Sequence, residues 1–249
     1  MADGPNDITI VTGGSRGIGA ATALLCATHG HAVCVAYRNQ AEKAENVVSE
    51  ITANGGRAIA VQVDTANKSD VIRLFETVDD RLGTLTGLVN NAGVHGPRIR
   101  VDELELEDVE QVLAVNVSAL FQCSREAVRR MSTRHGGRGG AIVNISSGSA
   151  RLGSPGTGVL YAASKGAVNS LTIGLSQEVA GEGIRVNAVA PGLTVTDMPP
   201  VERLERDGPG LPMGRAAQPE EIAEAIYWLL TEKASYVAGA NLRVGGGRI

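Results

Sequence analysis

Seven short apolar runs recur along the chain, with helix-length segments between most of them. They are ITIVT (8–12), HAVCVAY (31–37), RAIAVQVD (57–64), GLVNNAG (87–93), GGAIVNISS (139–147), GIRVNAVAPG (183–192) and the terminal ANLRVGGG. Most are rich in β-branched residues and nearly continuous in apolar character, as strands buried on both faces must be. The intervening segments read as helices. QAEKAENVVSEITANGG has a polar face and closes at Gly55, and NKSDVIRLFETVDDRLG carries Val71, Ile72, Leu74, Phe75 and Val78. A long helical region runs to about Met131, and its basic tail, Arg125, Arg129, Arg130 and Arg134, suits the negative end of a helix dipole. Further helices are expected over 159–179 and over PEEIAEAIYWLL (219–230), where Pro stands in the first turn. This alternation predicts an α/β protein, a doubly wound three-layer sandwich around a parallel sheet of about seven strands. With no repeat or linker in the pattern, residues 1–249 read as a single domain.

Composition removes several alternatives. A net charge of −4 leaves no basic footprint for nucleic acid, and no apolar run approaches the ~18 residues that span a bilayer. MADGPND lacks the basic and apolar regions of a secretory leader. Cys26, Cys34 and Cys123 have no CxxC spacing and read as reduced core residues of a cytoplasmic protein. His29, His31, His95 and His135 have no ligand spacing, so no metal site is expected. The segment 193–216 is the most irregular, with Pro199, Pro200, Gly208, Pro209, Gly210, Pro212 and Gly214. A loop of that length in a compact domain is usually a lid or a binding loop, here a substrate loop.

TGGSRGIG stands between the first strand and the first helix, with glycines at 13, 17 and 19. Glycine there permits a tight turn and close approach of a ligand, and the helix N-terminus offers free N–H groups to a pyrophosphate. Taken alone the cluster could be only a turn; its place in an alternating chain points to the Rossmann dinucleotide site. Gly13, Ser15 and Gly17 also fit the GxSxG of a hydrolase elbow. That reading fails because no histidine follows His135 and no earlier loop could supply an oxyanion hole. The second strand ends in Tyr37-Arg38-Asn39, where NAD-specific folds usually carry an acid on the ribose hydroxyl. An arginine fork suits a 2′-phosphate instead, and Arg16 could add a second cation. Arg38 could equally be a solvated surface residue. NADP(H) is therefore the preferred cofactor, with NAD(H) possible.

LYAASKGA places Tyr161 and Lys165 one helical turn apart, on one face. A phenol with its ordinary pKa of about 10 is a poor base at neutral pH. An ammonium ~4 Å away, worth about 4 kcal/mol at an effective dielectric of 20, would hold it far lower. The plain alternative is two solvated side chains sharing a surface.

In order along the chain stand TGGSRGIG, NNAG (90–93), NISS (144–147), YAASK (161–165) and APG (190–192). On these motifs the chain resembles the short-chain dehydrogenase/reductase family over nearly its whole length. It is similar to members of the 3-oxoacyl-acyl-carrier-protein reductase and glucose dehydrogenase types. The resemblance implies a catalytic set of Asn116, Ser147, Tyr161 and Lys165. Tyr161 would act as general acid/base, while Lys165 would tune it and bind the nicotinamide ribose. Ser147 would steady the substrate oxygen, and Asn116, in LAVNVSAL, would support a proton relay. A buried Asn bonding the backbone is the plain reading of Asn116, and the two can coexist. Relatives usually space the Ser and Tyr by thirteen residues; here the interval from Ser147 is fourteen, read as a one-residue insertion in SARLGSPGTGVL, and Ser146 is the other candidate. The implied cofactor contacts are Gly13, Ser15, Arg16, Gly17, Ile18, Gly19, Tyr37, Arg38, Asp64, Asn90, Ala92, Gly93, Tyr161, Lys165, Pro191, Gly192, Thr194 and Thr196. Of these, Asn90 would fasten adjacent strands, and Asp64 could equally cap a helix.

The tail departs from the family's VDGG by reading VGGG at 244–247, which puts any subunit contact through that acid in doubt. Family members are mostly tetramers, so a homotetramer is expected. The implied reaction interconverts a carbonyl and a secondary alcohol on a small molecule; β-ketoacyl thioesters, sugars, steroids and small ketones all remain open. Met198, Val201, Leu204, Leu211 and Met213 offer apolar contacts, and Arg151 and Arg215 could attract an anion or simply be exposed. The alternative is a non-catalytic dinucleotide-binding protein, redox-sensing or regulatory, which would not need Ser147, Tyr161 and Lys165 together. An epimerase or dehydratase would need a larger region after Gly192.

Overall fold

The computed structural model describes residues 7–248, so the reading of MADGPND falls almost wholly outside the described residues. Seven strands form one parallel sheet: β1 (Ile8–Thr12), β2 (Ala32–Tyr37), β3 (Ala58–Gln62), β4 (Gly87–Asn90), β5 (Gly140–Ile145), β6 (Ile184–Pro191) and β7 (Asn241–Val244). Their spatial order is β3-β2-β1-β4-β5-β6-β7. The order reverses between β1 and β4, where the chain leaves one half of the sheet for the other. Ligands bind in such a crevice, outside the carboxyl ends of the strands.

The helices that cover the sheet are α1 (Gly17–Thr28), α2 (Ala41–Ala53), α3 (Lys68–Arg81), α4 (Leu106–Leu113), α5 (Ala119–Met131), α6 (Ser149–Leu152), α7 (Val159–Val179), α8 (Val201–Asp207) and α9 (Pro219–Leu230). Alternation along each strand divides the core in two. Ile8 and Ile10 of β1 face Leu74, Phe75 and Val78 of α3 and Ala127 and Met131 of α5. Val11 of β1, Val33 and Val35 of β2 and Val143 of β5 face Ala23 and Cys26 of α1, Val47 of α2 and Ile222 and Ile226 of α9. These are the two apolar seams of a three-layer sandwich. All three cysteines are buried and unpaired. No helix among the described residues is long and apolar enough to cross a membrane, and no metal-binding cluster occurs among them.

The sequence pattern overran the strand ends and smoothed two irregularities. GLVNNAG gives a strand only to Asn90, and GGAIVNISS only to Ile145. The residues beyond them line the crevice. The long helical region before Met131 is broken by a π-helical turn at Ala114–Ser118, which carries Asn116. The segment 193–216 is not wholly a loop, because α8 forms within it between Pro200 and Gly208.

Candidate active site

Thr12, at the end of β1, ties the glycine turn to the end of β4. Its hydroxyl donates to the Val89 carbonyl at 3.2 Å and accepts from the N–H groups of Asn91 and Ala92, each at 3.0 Å. Asn91 returns the contact, donating from Nδ2 to the carbonyls of Thr12 and Gly13 at 2.9 and 3.0 Å. Gly13 adopts φ +62°, and a β-carbon there would meet the Ala92 backbone at 3.1 Å. A β-carbon at Gly19 would overlap the Gly13 carbonyl oxygen. These two glycines let the turn and the first turn of α1 lie against each other and against the β4 loop.

Above this turn lies a cavity of about 1020 Å³. Its walls run from Tyr37, Arg38 and Asp64, past Gly13, Ser15, Arg16, Gly17 and Ile18, to Ala92 and Gly93, and on to Ser147, Tyr161 and Lys165. Pro191, Gly192, Thr194 and Thr196 close another side. The structure thus gathers on one surface nearly all the residues singled out from the sequence. Gly19, Asn90 and Asn116 stand behind that surface. Asn90 donates to Asn144 Oδ1 at 2.9 Å and to Ser124 Oγ at 3.2 Å, fastening β4 to β5 as expected. Asn116 accepts from the Val94 N–H at 2.8 Å and donates to the Val94 carbonyl at 2.8 Å and to Ser164 Oγ at 2.9 Å. It bonds the backbone of the loop after β4, not its own helix.

The two serine candidates both border the cavity but differ in burial and partners. Ser146 is buried and donates to Asn169 Oδ1 at 2.6 Å, facing α7. Ser147 is less buried, and its hydroxyl lies close enough to the Tyr161 phenol to favour its ionisation. The segment after it forms α6 and a turn in which Ser154 holds φ +48°, the sole non-glycine with positive φ among the described residues.

The electrostatics differ from expectation. Lys165 is buried, and its Nζ donates to the Ile145 carbonyl at 2.6 Å while lying 5.8 Å from the centre of the Tyr161 ring. Burial lowers its pKa to about 8. The Tyr161 phenol is not depressed: its burial pushes the pKa above the ordinary value, opposed by the Ser147 hydrogen bond and the positive charges of Arg98 and Arg203. In this structure desolvation outweighs every cation near the phenol, because a buried ring loses the water that would stabilise a phenolate.

Arg98 and Arg203 were missed in the sequence, as was His95, whose ring stacks on that of Tyr161 at 4.7 Å and 15°. Arg215, weighed as an anion trap, is held by Glu221 through two bonds of 2.6 and 2.7 Å. Arg151 lines the cavity. Arg38 Nε pairs with Asp64 Oδ2 at 3.2 Å, and Asp64 also caps the turn at Ala66. Arg16 pairs with Asp197 at 3.0 Å, and Lys43 with the same oxygen at 3.2 Å. Gly245 backs onto Gly192: a β-carbon at Gly192 would fall 2.8 Å from Gly245 Cα.

The cavity fits a dinucleotide by its own chemistry. Gly13 and Gly17 present bare backbone at the N-terminus of α1, the place a pyrophosphate takes. The Lys165 ammonium has three donors and spends one on Ile145, leaving two for ribose hydroxyls.

Comparisons with known proteins agree with this geometry. Residues 7–207 match the short chain dehydrogenase family model. The chain is 48% identical over 245 residues to an uncharacterized oxidoreductase, YgfF, of Escherichia coli (strain K12), covering 97% of this chain and 99% of that protein. It is 39% identical over 243 residues to a 3-oxoacyl-[acyl-carrier-protein] reductase of Synechocystis sp., covering 97% and 96%. Among solved structures, a short chain dehydrogenase from Burkholderia cenocepacia in complex with NADP superposes with a TM-score of 0.90 at 36% identity, covering 97% of each chain.

Proposed function

Since the chain belongs to the short-chain dehydrogenase family and is an NAD(P)-dependent oxidoreductase, we propose that it is an NADP(H)-dependent carbonyl reductase with Tyr161 as its proton donor. The observation that carries this reading is the convergence of Ser147, Tyr161 and Lys165 on the cavity that the glycine turn floors. A protein that only sensed a dinucleotide would need the floor without the triad.

When bound, the reduced nicotinamide supplies hydride. The chain's own residues then have separate tasks. Tyr161, its pKa raised by burial, is a neutral phenol at physiological pH. It holds the proton that a carbonyl oxygen must receive as hydride arrives. Ser147 stands beside the phenol and supplies a second hydrogen bond to the same oxygen, steadying negative charge as it develops. Lys165, anchored by Ile145, orients the nicotinamide ribose, and its positive charge eases loss of the phenolic proton. Asn116 is a positioning residue: it holds Val94, and through it the loop that follows β4, against α7 at Ser164.

Arg38 supports the choice of NADP(H). Its side chain is half exposed beside the end of β2, and among the described residues only one acid, Asp64, engages it. The NADP complex of the Burkholderia relative points the same way. A homo-oligomer, most simply a homotetramer, is supported by exposed apolar residues on adjacent helices, Phe121 of α5 and Ile173 of α7, at 59% and 50% accessibility.

The test is a panel of ketones and ketoesters with NADPH at neutral pH, set beside the matching secondary alcohols with NADP⁺. Oxidation of NADPH by at least one class of ketone is expected. A protein that binds NADPH tightly yet oxidises it with none of them would contradict the reading.

A further inference from the structure

The substrate end of the cavity carries more positive charge than its neighbours neutralise. Arg98 follows β4 and Arg203 lies in α8, far apart in sequence, and both line the cavity that holds Tyr161. Each is close enough to the phenol to act on its ionisation. They also act on each other: the Arg203 charge, together with burial, holds the Arg98 guanidinium below its ordinary pKa. Two like charges confined at one wall are unfavourable unless something answers them.

Of the acids at this end of the cavity, Glu202 is exposed on α8 next to Arg203, and the other two are engaged by basic side chains. Asp197 is bound by Arg16 and Lys43. Asp207 takes Arg206 Nε at 2.8 Å on one oxygen and, more loosely, Arg203 Nε at 3.4 Å on the other. Arg98 forms no ion pair among the described residues; its contact is a long one, 3.4 Å, from Nη2 to the Met198 carbonyl. His95, stacked on Tyr161, is kept neutral by burial and by Arg98, so it adds no competing acid and fixes the face of the phenol.

We propose that Arg98 and Arg203 form an anion-binding subsite, and that the carbonyl substrate is a small oxo acid whose carboxylate they grip while its ketone oxygen meets Tyr161 and Ser147. A guanidinium fork matches a carboxylate in shape and charge, and a second one in the same wall closes the other side. This assignment rests on the reductase reading and narrows it, since a thioester of an oxo acid presents no charge near its ketone.

The test uses charged and neutral versions of the same ketone: acetoacetate against methyl acetoacetate, and benzoylformate against its methyl ester. In the wild-type protein with NADPH, kcat/KM is expected to favour each acid over its ester by at least about tenfold, the scale of one charge-assisted contact. Arg98→Met and Arg203→Met should each shrink that ratio, with Arg98→Lys restoring part of it. Calorimetric titration of benzoylformate into the NADPH-loaded wild type reads the subsite without turnover, and binding of the acid but not the ester is expected. Equal or faster reduction of the esters, or ester binding equal to acid binding, would overturn the subsite while leaving the reductase reading intact. Acid-selective binding with no oxidation of NADPH by any ketone would support the subsite and instead remove the reductase reading.

Discussion

Lys165 is fastened to Ile145: its Nζ donates to that carbonyl at 2.6 Å, and so the amine is pinned to the end of β5 rather than to the hydroxyl of Tyr161 one turn away. The contact holds the ammonium 5.8 Å from the centre of the ring, in a buried position. Both members of the pair then titrate against their usual tendency, the lysine low and the tyrosine high. The protein alone thus prepares a protonated phenol.

The lysine's burial sets a stability effect with a definite sign. Its folded pKa is about 8 against an ordinary 10.5, so between those values the unfolded chain holds a proton that the folded chain does not. The lysine's contribution to stability is therefore poorest below pH 8 and rises above it, by roughly 1.4 kcal/mol per pH unit. Cys26 and Cys123, raised by burial to about 12, act oppositely above pH 9, so the comparison must be made against a Lys165→Met variant that shares them. Urea unfolding at pH 7.5 and at pH 9 should show wild type gaining about 1 kcal/mol on the variant. A constant difference would mean the amine is solvated.

Replacing Arg38 with Asp should reverse cofactor choice. The variant exchanges a fork that suits a phosphate for a carboxylate that suits a ribose hydroxyl. Kd for NADPH, followed by its fluorescence, should rise by about tenfold or more, with NADH binding tightened. Unaltered Kd values for both would place the 2′-phosphate elsewhere.

Much of this arrangement was legible before any coordinates. The alternation of apolar runs gives the layers, and GxxxGxG, NNAG and YxxxK mark where the crevice must be, because each is a local constraint written in adjacent residues. Arg98 and Arg203 carry no such mark. They meet only because the crossing from β4 and the short helix α8 end at the same wall, a fact of topology. The helix itself was hidden by its seven residues and by the Pro200 and Gly208 that bound it. The high pKa of Tyr161 was also out of reach, since spacing reveals which charges are near but not how much water burial removes.

Asn116→Ala should loosen the loop after β4. The substitution leaves the Val94 N–H and carbonyl without the partners they have now, and two part-buried backbone hydrogen bonds lost cost about 1–3 kcal/mol together. Unfolding midpoints in urea should fall accordingly, and KM for the ketone should change along with kcat. Asn116→Ser, which keeps a shorter acceptor, should recover part of the loss; an alanine variant as stable as wild type would show that the loop is held by other contacts.

If the exposed faces of α5 and α7 meet other copies of the chain, charge placed there should separate them. Light scattering coupled to gel filtration should give a tetramer for wild type and smaller species for Phe121→Asp and Ile173→Asp. A wild-type monomer at micromolar concentration would contradict the assembly.

The most direct measurement concerns a single oxygen atom. Tyr161→Phe keeps the ring that stacks on His95 and removes only the hydroxyl. With NADPH affinity shown to be unchanged, kcat for ketone reduction should fall by about 10²–10⁴-fold, the range of a lost general acid. A variant that binds NADPH and reduces the ketone at the wild-type rate would mean that the proton comes from another group.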